Sequence, residues 1–173
     1  SLFGEMAAHP VWVRWRVLRV LGRLLLRRLA AIHRCGIVHA DVQPNNFIMG
    51  RADPDAKVVD AQKAASTPFI VDFGSAVRFP RGGKKRPDFG SVDFSSIRSV
   101  SGDERGPLDD LEALGWVLCF GIFGELPWFD ITKDARWKDG KLQEPELSQV
   151  CGEVSRAKAK LLDDGWGSFG RRW

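Results

Sequence analysis

From about Val11 to Arg34, apolar side chains recur at helical spacing as Leu18, Leu21, Leu25, Leu29 and Ile32, while Arg16, Arg19, Arg23 and Arg27 occupy another face. A stripe this regular must be covered by other apolar surface. The stretch is read as a scaffold helix whose leucines support the loop after it and whose arginines face water, in preference to a basic helix that adsorbs to a membrane surface or nucleic acid. Gly36 ends it, because glycine accepts the left-handed backbone of a helix C-terminus. The longest apolar run, Val17 to Ile32, is interrupted by Arg19, Arg23, Arg27 and Arg28, so it offers no bilayer span. No signal-peptide pattern is read either.

Beyond the helix the chain turns polar and punctuated. Val38 to Asn46 reads as an irregular loop with Pro44 at its centre, Phe47-Ile-Met49 as a short strand, and Phe69-Ile-Val71 as the strand that returns. The stretch between them, Gly50 to Thr67, carries Asp53-Pro54 and small residues, and reads as an exposed loop or long hairpin tip. A lone Asp or Asn in such a loop is usually a turn or cap residue. Here Asp41, Asn46 and Asp72 come in a fixed order around the two strands, which sets them apart from a single such residue. His39 and His33 are read as structural residues, and His9 carries no signal.

Further on, Arg81-Gly-Gly-Lys-Lys-Arg-Pro87 reads as a solvated basic loop. Leu108 to Phe123 reads as the core helix, with Leu111, Leu114, Leu118 and Ile122 at helical spacing. Asp109 and Asp110 sit at its start, where carboxylates cap amides and complement the dipole, and Pro127 marks its end. The tail from Thr132 is charged, with a short helix after it from Val154 to Leu162. The 173 residues, 44% hydrophobic with seven Trp, suit one globular domain. A net charge of +4 is too small to name a partner, and three scattered cysteines, Cys35, Cys119 and Cys151, fit reduced thiols inside a cell.

The run Gly36-Ile-Val-His-Ala-Asp-Val-Gln-Pro-Asn-Asn-Phe-Ile48 followed by Phe69-Ile-Val-Asp-Phe-Gly74 resembles the catalytic loop and metal-binding turn of protein kinases. Gly90-Ser-Val-Asp-Phe-Ser-Ser-Ile97, Asp109-Asp-Leu-Glu-Ala-Leu-Gly-Trp-Val-Leu118, Gly124-Glu-Leu-Pro-Trp128 and the segment from Val154 to Asp163 are similar to the casein kinase 1 branch, and to vaccinia-related kinases most closely. The resemblance runs from roughly Leu18 to Asp163. It implies an α+β fold: the mainly helical C-terminal lobe of a kinase, with short β-hairpins around a catalytic loop at 38–48, Asp-Phe-Gly at 72–74, an activation segment at 72–98 and a central helix at 108–123. The N-terminal lobe is absent from this sequence and expected upstream. As implied roles, Asp41 orients or accepts the proton of the substrate hydroxyl, Asn46 and Asp72 hold Mg2+, and Ile48 and Val71 touch the adenine side of ATP. Asp110 braces the catalytic loop, and Ser91 matches the activation-segment Thr that helps set the acceptor position. The implied partner is a protein Ser/Thr substrate, with no membrane and no direct nucleic-acid contact, in the nucleus or cytoplasm.

Two departures matter. Ala40 stands where many kinases place an Arg that binds a phosphorylated activation loop, so that switch is not expected. Gln43 stands where Ser/Thr kinases keep a Lys near the transferred phosphate; losing a charge-assisted hydrogen bond of about 1.5–3 kcal/mol slows transfer roughly ten- to a hundredfold. Gln still donates a neutral hydrogen bond. Gly165-Trp-Gly-Ser-Phe-Gly170 spells a phosphate-loop pattern but comes after no evident strand and is discounted. The competing readings are an inactive kinase-like scaffold, which Gln43 favours, and a small-molecule kinase of the aminoglycoside or choline type, against which the Ser91 to Ile97 segment and Asp110 helix stand.

Overall fold

The computed structural model describes residues 3, 6, 8–50, 67–80, 90–135 and 146–165. Helix α1 (Val11–Arg34) leads into strand β1 (Ile37–Val38), a 3-10 turn at Pro44–Asn46, and strands β2 (Phe47–Gly50) and β3 (Thr67–Ile70). A second 3-10 turn at Phe73–Ser75 precedes β4 (Val77–Arg78), and helices α2 (Ile97–Val100), α3 (Pro107–Phe123), α4 (Phe129–Asp134) and α5 (Glu146–Asp164) complete the order. The described residues are thus mainly helical with two small antiparallel sheets, an arrangement compatible with the C-terminal lobe of a kinase. The expected loops at 51–66 and 81–87, and the Gly-rich run beyond Gly165, lie outside the described residues.

Helices α1 and α3 run antiparallel at close range. Leu18, Leu21, Leu25 and Leu29 are buried as their spacing predicts, and the arginines of the other face, Arg16, Arg19, Arg23 and Arg27, are exposed. Two glycines permit the approach: a Cβ at Gly22 would stand 3.1 Å from Leu118, and one at Gly121 would stand 2.9 Å from Leu18. At one end of the contact Arg14, itself buried, donates through Nη1 to the Ile122 carbonyl at 2.7 Å. The opposite end carries the contact between His33 and Asp110 described below.

Some sequence expectations shift in detail. The deeply buried stripe of α3 is Asp110, Ala113, Leu114, Val117 and Gly121, whereas Leu111, expected in the core, is 38% exposed and Leu118 and Ile122 are half-buried. Long apolar residues all around this helix hid which face is inward, and the small residues mark it, because they let α1 approach. Helix α5 starts at Glu146 rather than Val154, since Val150 and Cys151 extend the stripe that Val154 and Leu161 continue. The charged stretch after Pro127 holds the short helix α4, fastened by Trp128, which is fully buried.

The sheets are hairpin-like pairs. β2 and β3 pair with Phe47 opposite Ile70 and Ile48 opposite Phe69, so Phe47 and Ile70 point inward while Ile48 faces out. β1 and β4 pair with Ile37 opposite Arg78, extended by the Phe79 amide donating to the Gly36 carbonyl at 2.8 Å. Gly36 has φ 70, the left-handed backbone expected of it after the helix end. None of the described helices is long and apolar enough to cross a membrane.

Leu25 is fully buried in the α1 stripe. Leu25→Ala is expected to lower unfolding free energy by about 2–5 kcal/mol, read as a drop in urea midpoint with little change in the slope of the transition.

Candidate active site

The first turn of α3 presents a buried carboxylate to the chain that leaves α1. Asp110 is 1% exposed; its Oδ1 accepts from the Ala40 amide at 2.8 Å, and its Oδ2 accepts from the His39 amide at 2.8 Å and meets His33 Nε2 at 2.8 Å. Two amides and one ring thereby fix the start of the 38–48 loop. Ala40 pays for this geometry with φ 65, a left-handed backbone unusual for a residue with a Cβ. Its carbonyl accepts from Nη1 of Arg105, a buried side chain, at 3.0 Å. The preceding residue, Asp109, caps α3 by accepting from the Gly106 amide at 2.7 Å, and it accepts from the Ser96 hydroxyl at 2.6 Å. The expected cap is therefore Asp109, while Asp110 serves the loop.

His39 joins the loop to the strand beyond it. It is fully buried; Nδ1 accepts from the Asp41 amide at 3.3 Å, which leaves Nε2 as the protonated nitrogen, donating to the Val71 carbonyl at 3.0 Å. Both ring nitrogens are thus committed. This is the structural histidine expected from the sequence, with the Phe73 ring against its edge at a centroid distance of 4.8 Å.

Asp41 is the focus of the loop. Its Oδ2 accepts from Asn46 Nδ2 at 2.9 Å and from Gln43 Nε2 at 2.9 Å, and its Oδ1 accepts from the Ser91 amide at 3.2 Å. Asn46 Nδ2 also donates to the Asp41 carbonyl at 2.8 Å, so the amide nitrogen of Asn46 is the end that faces Asp41. Gly90 is required where it stands, because a Cβ there would overlap the Asp41 carboxylate.

Asn46 and Asp72 are joined through the backbone: the Val71 amide donates to the Asn46 carbonyl at 2.9 Å, continuing the β2–β3 ladder by one step. Asp72 then turns outward with φ 64, its exposed carboxylate accepting from the Gly74 amide at 3.2 Å. Ile48 is 49% exposed and Val71 half-buried, and by the alternation of paired strands both lie on the outer face with Phe69. All six sequence-derived candidates, Asp41, Gln43, Asn46, Ile48, Val71 and Asp72, therefore sit on one continuous loop-and-hairpin unit.

No protein-family model matches the chain. Casein kinase I homolog 1 of Schizosaccharomyces pombe is 31% identical over 122 residues, covering 65% of this chain and 25% of that protein. Casein kinase I homolog 2 of the same yeast is 29% identical over 149 residues, covering 80% of this chain and 32% of its own length. The chain carries a casein kinase I-like kinase region. It spans between a quarter and a third of the length of these relatives.

In this kinase-like region, the segment after Gly90 is pinned from three helices. The Ile97 amide at the start of α2 donates to Glu112 Oε1 of α3 at 2.8 Å, and Arg98 reaches Asp109 at 3.4 Å. Trp128, just before α4, donates through Nε1 to the Asp93 carbonyl at 2.9 Å, and Thr132 within α4 donates through Oγ1 to Asp93 Oδ1 at 2.8 Å. From α5, Lys158 Nζ donates to the Val92 and Ser95 carbonyls. Sequence reasoning missed Arg105, Thr132 and Lys158. Lys158 alone left a signal, since it falls four residues after Val154 and three before Leu161, on the apolar stripe of α5. The thiols are not disulfide-bonded, and burial pushes that of Cys119 up to about 12, so it is inert at neutral pH.

Replacing Asp110 tests how far the loop depends on it. Asp110→Ala leaves the His39 and Ala40 amides without their acceptor, and is expected to cost about 2–5 kcal/mol in chemical denaturation. Loss of exchange protection at those two amides should accompany it.

Proposed function

We propose that this region is the lower part of an ATP-dependent protein serine/threonine kinase site of the casein kinase I type. The observation that carries the reading is the Asp41 carboxylate, fixed by Asn46, Gln43 and the Ser91 amide at the junction of the loop and the acceptor-side segment. A carboxylate held by donors on both oxygens is pre-oriented to accept a hydrogen bond from an incoming hydroxyl, which is most of what a kinase asks of its base. Asp41 takes the hydroxyl of a Ser or Thr on a protein substrate. Gln43, beside it, lends one neutral N–H toward the transferred phosphate.

The donor set fits magnesium. Among the described residues no group of three or more His, Cys, Asp or Glu side chains is placed to hold a metal. Magnesium, however, takes one or two protein oxygens and fills its octahedron with water and phosphate oxygens. The exposed Asp72 carboxylate and the Asn46 side-chain oxygen meet that need, and Ile48 and Val71 offer the apolar surface for the adenine side. When bound, MgATP supplies the phosphoryl group and neutralises its charge. An N-terminal lobe upstream would complete the nucleotide site, and an intracellular setting, nuclear or cytoplasmic, goes with this reading.

Gln43 favours a second reading, an inactive kinase-like binding module, because a neutral amide replaces the cation expected near the phosphate. The two separate experimentally. With the kinase reading, MgATP raises the melting temperature of the chain, the rise disappears in Asp72→Ala, and ATP without the metal gives a smaller one; ligand at a hundred times its Kd is worth about 2.7 kcal/mol. Absence of any magnesium-dependent rise counts against the kinase reading. On transfer itself, Gln43→Lys is expected to raise the rate roughly ten- to a hundredfold, and Asp41→Asn to abolish it, measured as phosphate incorporation into a Ser/Thr peptide.

A further inference from the structure

Among the described residues, Lys158 is the largest ionisable side chain that is fully buried: it is 0% exposed, in the middle of α5. Its Nζ donates to the Val92 carbonyl at 3.0 Å and the Ser95 carbonyl at 2.6 Å, and lies 5.0 Å from the centroid of Trp128 and 5.8 Å from that of Trp116. Those carbonyls bracket the turn whose amides at Phe94 and Ser95 donate to the Ser91 carbonyl, and the Ser91 amide is the one that reaches Asp41. We propose that Lys158 is a positioning residue for the acceptor side of the site, an amine clamp that holds the Ser91–Ser95 turn against Asp41 from helix α5. The acceptor-side role rests on the kinase reading above; the clamp itself does not.

The clamp is sensitive to protonation. Burial lowers Lys158 to about 7, against the opposing pull of Glu112 on α3, Asp93 on the segment and Cys151 on α5. Asp93 is itself raised by burial, opposed by its Thr132 hydrogen bond and the charges of Lys158 and of Lys133 on α4. A neutral amine has two N–H groups, matching the two carbonyls, whereas the ammonium carries a third N–H and a full charge into an enclosed site. In the open segment, where water reaches the amine, its ordinary value of 10.5 returns. The open form therefore binds more protons between about 7 and 10.5, so closure gains as pH rises through that window and is weakest at and below about 7.

The experiment is amide exchange of the full chain between pH 7 and 9, corrected for intrinsic rates and resolved at Ser91, Phe94 and Ser95. Opening of these amides should fall by roughly tenfold or more over that range, while amides in the middle of α1 change less. In Lys158→Met, which keeps the stem and removes the donors, opening should be greater at pH 9 and its pH dependence should vanish. A wild-type profile that is flat over pH 7 to 9, or one retained in Lys158→Met, overturns the proposal; if that variant fails to fold, the wild-type profile decides, supported by a 13C titration of the lysine side chains in which one resonance has a midpoint near 7. The readout is independent of transfer, so pH-coupled opening in a chain that never binds MgATP would sink the kinase reading and leave the clamp standing.

Discussion

The arrangement depends on one buried carboxylate. Asp110 accepts from two consecutive amides and a histidine ring, and these partners come from the end of α1 and the start of the loop. A carboxylate this deep is tolerated only because its oxygens are met by donors and because the positive end of the α3 dipole lies beside it. Removing the partners would leave a charge in the interior, and removing the charge would orphan the amides. The loop has therefore little freedom to take another path, and Ala40 is held in a left-handed backbone that alanine does not choose for itself.

That joint works because the helices beneath it are fixed. Gly22 and Gly121 let α1 and α3 approach until each packs against a leucine of the other, and the Arg14 contact closes the far end. Leucines buried along α1 supply the apolar area, and the tight contact sets where His33 ends up relative to Asp110. Packing thus becomes geometry: a helix register fixed by small residues delivers a carboxylate to a loop.

From the loop outward, order passes by hydrogen bonds rather than by burial. His39 carries it to Val71, the Asn46–Val71 bond carries it to Asp72, and Asp41 carries it to the Ser91 amide. The segment that receives it is held in turn by Trp128, Thr132 and Lys158 from two further helices. Asp41, Asn46 and Asp72 were legible in the sequence because spacing and residue type mark them together. Arg105, Thr132 and Lys158 were not, because a basic or hydroxyl side chain in a charged stretch looks solvated until distant elements close over it.

By itself the sequence determined the helical stripe of α1, the order of loop, hairpin and core helix, the cap at Asp109, and the likeness to kinases of the casein kinase I branch. These rest on local periodicity and on motifs within short reach along the chain, where bonding partners are near neighbours. Only the tertiary structure decided which face of α3 turns inward, that Leu111 is exposed, and that Lys158 is enclosed. Each of those turns on contacts between residues tens of positions apart, and the cost of burying a polar group is settled by the partners that folding brings to it, not by the residues beside it in the chain.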